Sequence, residues 1–165
     1  AGLERTSVAM HLLMLGIATM LGFLFWGAFA TRMSRRGIKP IVVLIWATAA
    51  YMALQLLLVF EITQMSWVIW IGWGLLGTSG SLAFSIISQS FPVQLTGRAT
   101  TALNLLAFTT AFGSQWLFGI ILNQWDAVDS GYAPEGYVRA FSIFLILQVL
   151  GFSWMLRGHL KHRGT

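Results

Sequence analysis

Apolar residues fall into five long runs separated by short polar stretches. The runs cover residues 6–31, 40–60, 66–90, 99–123 and 138–156. Each is close to or longer than the roughly 20 mostly apolar residues that a helix needs to cross the hydrocarbon core of a bilayer. None alternates polar and apolar residues as a barrel strand does, and backbone groups in lipid must be paired within their own segment. The pattern therefore predicts an all-α fold: a polytopic transmembrane bundle of five spanning helices in one domain. The connections are short. Met33–Pro40 predicts a tight turn with Pro40 opening the next helix, and Phe91–Gly97 predicts a second turn. Glu61–Ser66 lies on the other side. Gln124–Tyr137 is the longest connection, and residues 157–165 read as a basic tail.

The polar positions at the ends of the runs add an orientation. Arg5, Glu61, Asp126, Asp129, Glu135 and Arg139 belong to one set of gaps, and Arg32, Arg35, Arg36, Lys39, Arg98, Arg157, Lys161 and Arg163 to the alternate set. The second set holds no acid. Lys and Arg are retained on the cytoplasmic side of a membrane. The amino end is thus expected outside and the carboxy end inside, in a bacterial cytoplasmic membrane. Trp67, Trp70, Trp125, Tyr132 and Tyr137 fall near the outer boundary and Trp26 and Trp154 near the inner one, as interfacial belts would.

Composition narrows the function classes. The chain is 57% hydrophobic and 9% charged, against about 25% charged in soluble domains. The net charge of +5 would suit a nucleic-acid partner only if the cations shared a polar face. They sit instead at helix ends, so no nucleic-acid partner is expected. The chain has no Cys, which removes disulfides and thiol chemistry. Two of the three His residues, His159 and His162, lie in the tail, so no metal cluster and no cofactor is expected. Neither paired carboxylates nor a nucleophile beside a base is present, which argues against an enzyme.

Within the spans the polar residues concentrate in the third and fourth runs. Gly74, Gly77, Ser81, Ser85 and Ser88 recur every three or four residues. Such a stripe serves either close helix packing or a substrate path. In the fourth run Thr101, Asn104, Phe108, Ala111 and Gln115 share a face. An amide against lipid is costly, so Asn104 and Gln115 are expected to face protein or a cavity. His11 lies near the outer end of the first run and has a reference pKa of about 6.5, suited to proton sensing. Gln55 and Gln148 are isolated amides expected to be structural. Gln115, Ser81, Ser85, Asn104 and His11 are the candidate substrate-contact residues.

Two of the turns resemble a known family. Gly27-Ala28-Phe29-Ala30-Thr31-Arg32-Met33-Ser34-Arg35-Arg36-Gly37 resembles the cytoplasmic signature of the major facilitator superfamily, Gly-x-Leu-Ala-Asp-Arg-x-Gly-Arg-Arg/Lys. Gly27, Ala30, Arg32, Arg35 and Arg36 match. Phe29 stands for Leu, Thr31 for Asp and Ser34 for the second Gly. Phe91–Thr100 resembles the turn between that family's helices ten and eleven. The resemblance implies helices eight to twelve of a twelve-helix secondary transporter, working by alternating access around a midplane site. It further implies a small-molecule solute, a coupling ion, the lipid bilayer and the missing amino-terminal helices as partners. Gly27, Thr31, Arg32, Arg35, Arg36, Gly97 and Arg98 are then expected to form a cytoplasmic gate and hinge. Where the family's Asp joins a charge network, Thr31 brings no charge, so that latch is expected to be weak. The odd span count and the absent Met suggest a piece of a longer protein. The rival expectation is a non-transporting sensor or assembly subunit with the same bundle, which would need no cavity.

Overall fold

The computed structural model describes residues 5–62, 66–125 and 131–161. Six α-helices follow in chain order: α1 (Arg5–Ser34), α2 (Pro40–Val59), α3 (Ser66–Gly77), α4 (Leu82–Ser90), α5 (Val93–Leu122) and α6 (Pro134–Lys161). A single 3₁₀ turn, Thr78–Ser81, joins α3 to α4 within one span. The five spans are all long and apolar enough to cross a membrane.

The turns are tighter than the hydrophobic pattern predicts. After α1, Gly37 adopts a left-handed backbone (φ +79°), and its N–H donates to Ser34 O while that of Ile38 donates to Met33 O. A residue without Cβ is favoured in that conformation. The expected turn over 91–97 shrinks to Phe91 and Pro92. Phe91 is extended (φ −119°, ψ 149°), as a residue before proline should be. The N–H groups of Leu95 and Thr96 both donate to Pro92 O, so α5 is already formed at Val93. Gly97 is therefore helix interior, and Arg98 lies in the second turn of α5. One glycine costs a helix only about 1 kcal/mol, too little to hold off a start that the proline favours. Likewise α6 begins at Pro134 and continues to Lys161, so Arg157 and Lys161 extend a helix instead of forming a loose tail. Asp126, Asp129, His162 and Arg163 lie outside the described residues.

Loop charges segregate to opposite ends of the bundle. Lys39 and His159 border one cavity with Gly37 and Gly158, whereas Glu61, Glu135 and Arg139 border another at the far end. We call these the basic and acidic ends.

Helix α2 is central, touching α1, α3, α4 and α6, while α5 packs on α4 and α6 alone. The main apolar core lies toward the basic end: Trp26, Ala30 and Met33 of α1, Val43 and Ala47 of α2 and Leu82 of α4. Trp26 is thus a core residue and not part of an interfacial belt; it is 5% exposed. Trp154 is 81% exposed on α6, as a lipid-facing belt residue would be.

The most extensive contact is α1 against α3. A Cβ on Gly74 would stand 2.8 Å from Leu15 O and 3.1 Å from Ala18 Cβ, and one on Gly22 would stand 2.9 Å from Leu75 O. These backbones approach so closely because glycine occupies the crossing point on each helix. A different device joins α2 to α6. Gln148 Nε2 donates to Gln55 Oε1 at 2.8 Å, and Gln55 Nε2 donates to Phe141 O at 2.9 Å. The two amides that seem isolated along the chain are partners.

Candidate functional site

The third span breaks near its middle. Over Thr78–Ser81 the helix tightens to 3₁₀ geometry, which displaces carbonyls from the usual ladder. Leu75 O is satisfied from outside that ladder: Trp26 Nε1 donates to it across the α1–α3 contact at 2.7 Å, and Thr78 Oγ1 donates to it at 2.8 Å. The break is consequently held by the indole of a neighbouring helix. Consecutive small residues, Gly77-Thr78-Ser79-Gly80-Ser81, supply neither the side-chain bulk nor the helix propensity to keep the span straight.

Two clefts open beside this break. The first, about 570 Å³, lies between α1, the α3–α4 break and α5, and is lined among others by Thr19, Phe23, Trp73, Gly77, Ser81 and Ala107. The second, about 420 Å³, continues toward the basic end, bordered by Gly27, Thr31, Ser34, Ser81, Ser85 and Gln89. Phe23 and Ser81 belong to both. The clefts therefore form one run along α1, from the middle of the span toward the basic end. Among the described residues no charged side chain lines either. The polar side chains are hydroxyls, one amide and the Trp73 indole. Thr19 and Thr31 spend their O–H groups on Leu15 O and Gly27 O of their own helix, both at 2.8 Å. Gln89 Nε2 donates to Ser85 Oγ at 3.0 Å.

Ser81 and Ser85 border these clefts, as do Gly27 and Thr31. The small-residue stripe divides its duties: Gly74 is a packing residue on α1, while Ser81 and Ser85 line the clefts. Gln115 and Asn104 are not brought to these clefts. Both are exposed on α5, on the face that also carries Ala107 three residues beyond Asn104 and eight before Gln115. Phe108, Phe112 and Trp116, exposed by 65%, 77% and 73%, stand bare beside them. His11 sits apart, near the acidic end of α1. It is 8% exposed, donates from Nδ1 to Ser7 O at 2.7 Å and stacks on Trp67 with ring centroids 3.7 Å apart. Arg32 and Arg35 border a further cleft with Phe25 and Phe29, which shares Gly27 and Thr31 with the second. Arg36 is exposed at the α1–α2 turn, and Gly97 and Arg98 are exposed on the first turns of α5. Phe23, Trp73 and Gln89 escaped sequence reasoning. The run Thr78-Ser79-Gly80-Ser81 could have pointed to them, because it marks where the helix breaks and so which side chains ring the gap.

Five apolar, membrane-length helices packed through glycine crossings and interhelical amides define a polytopic α-helical membrane protein. Comparison of the chain with protein-family models, with curated proteins and with solved structures finds no match.

Proposed function

We propose that this chain is part of a secondary transporter of the major facilitator type, moving a small solute by alternating access. The observation that carries the reading is the run of clefts beside the α3–α4 break. A span broken at mid-membrane, with uncharged hydroxyls and aromatic rings facing the gap, is the arrangement transporters use to place a binding site near the bilayer centre. The signature-like turn after α1 supports the same reading. So does the bare face of α5, where Asn104 and Gln115 would be costly against lipid and would instead meet a first helical bundle across the cleft. In this reading the chain contributes helices eight to twelve. The basic end faces the cytoplasm of a bacterial cell, and Gly27, Thr31, Arg32, Arg35, Arg36, Gly97 and Arg98 serve gate and hinge. A sensor or assembly subunit would have no need of an open cleft.

The test is uptake by the complete transporter in proteoliposomes. Solute accumulation is expected, with Gln115→Ala changing apparent affinity and Ser81→Trp, which fills the shared part of the clefts, abolishing uptake without unfolding the protein. Failure of every solute class under every imposed gradient overturns the reading. Orientation is tested separately. The chain has no native Cys, so a single Cys at position 34 should label from the cytoplasmic side only.

A further inference from the structure

A further cavity shares no lining residue with the clefts. It is a pocket of about 580 Å³ at the basic end, formed where the α1–α2 turn, the end of α4 and the end of α6 meet. Its mouth carries Lys39 and His159; its floor is Ile41, Val42, Trp46, Ile86 and Met155. Gly37 and Gly158 also line it. Lys39 is exposed, and residues 32–39, 91–98 and 157–161 contain no acid. Arg36, Arg157 and Lys161 add positive charge at the same end. Trp46 follows Lys39 by seven residues, about 10 Å deeper along the helix axis, and is 51% exposed.

We propose that this pocket holds an anionic phospholipid. Lys39 and His159 bind the phosphodiester at headgroup depth, and an acyl chain descends over Val42, Ile86 and Trp46. Three features select this occupant over others. The mouth is cationic, the floor wholly apolar, and the distance between them matches the step from headgroup to upper acyl chain. A free phosphate would leave the floor empty. A zwitterionic lipid would bring its own cation against Lys39. Basic pockets between transmembrane helices are the usual recognition sites for anionic headgroups. The proposal needs neither transport activity nor those clefts.

The chain in nanodiscs tests it. Phosphatidylglycerol or phosphatidylcholine brominated at upper acyl positions is added, and the quenching due to Trp46 is taken as the difference from Trp46→Phe. Phosphatidylglycerol is expected to quench at lower mole fraction. Lys39→Gln should raise the required mole fraction about fivefold, as the loss of one cation at a charged membrane surface implies. Lys39→Arg should restore it, which separates charge from folding. His159→Gln should weaken the lipid preference in the same direction. Equal quenching by the two lipids overturns the proposal. So does full competition by millimolar inorganic phosphate, which would mark a plain anion site, and so does an unchanged response in Lys39→Gln.

Discussion

The bundle is held by two interfaces built on opposite principles. Between α1 and α3, glycine at the crossing lets one backbone lie on the other, and the cross-helix polar bond there, from Trp26 to Leu75 O, runs to a carbonyl. Between α2 and α6, two side-chain amides bond to one another, and one of them reaches Phe141 O of the facing helix. In lipid there is no hydrophobic drive between helices, so contact area and hydrogen bonds must supply the attraction. The glycine crossing maximises the first and the amide pair the second. Their placement differs too. The glycine crossing borders the broken span and its clefts; the amide pair lies between α2 and α6, away from them. Close backbone packing tolerates little change in side-chain volume, whereas a hydrogen bond can be lost while the helices stay in place.

The largest effect is therefore expected at the glycine crossing. Gly74→Leu must part α1 from α3, because even a Cβ would meet Leu15 O at 2.8 Å. A loss of about 3 kcal/mol is expected, at the upper end for overpacking, read by reversible unfolding in mixed SDS and detergent micelles. If Gly74→Leu unfolds with the unmodified protein, the crossing is looser than described and the comparison fails. Trp26→Phe keeps a ring in the core but removes the Nε1–H donor to Leu75 O. The expected loss is about 1–2 kcal/mol, from the bond and the missing ring volume.

The amide pair should respond less and in a distinctive way. Gln55→Leu strands Gln148 Nε2, and about 1 kcal/mol is expected, within the range for interhelical hydrogen bonds in membranes. Gln148→Leu should cost a similar amount. The double variant should recover part of the loss, because replacing both partners with apolar groups leaves no buried amide unsatisfied. Additive losses would show that the two amides act independently, against the bond between them.

These interfaces also separate what the chain announces from what it conceals. The spans are legible because length and hydropathy report the solvent directly, and lipid demands helices. The turn at Gly37 is legible for the same local reason. The start of α5 is not legible in the same way, because the apolar run begins only after Gly97-Arg98, whereas Pro92 already sets the helix from Val93. The pairing of Gln55 with Gln148 spans 93 residues, and no periodicity in either helix encodes it. The clefts were half legible. Ser81 and Ser85 could be read from spacing, but Phe23, Trp73 and Gln89 line the gap only because the span breaks, and hydropathy is blind to a 3₁₀ turn within an apolar run. Trp26 was misplaced for a related reason: its partner is a carbonyl freed by that break.

The smallest expected effect bears most directly on what the small residues are for. Gly74 and Gly80 belong to the same span and look alike in composition. A Cβ on Gly74 would meet backbone, whereas one on Gly80 would meet nothing within 4 Å, though Gly80 lines the mid-span cleft. If all glycines in this span served packing, Gly80→Ala would destabilise as Gly74→Ala should. The geometry predicts otherwise. Gly80→Ala should change stability by less than about 0.5 kcal/mol, since alanine's better helix propensity is set against a turn that is already tight. Any loss of solute uptake in that variant would then arise from the cleft or from the pliancy of the break, not from the fold. Unfolding and uptake measured on the same preparation separate the two, and a destabilisation matching that of Gly74→Ala would return Gly80 to the packing role.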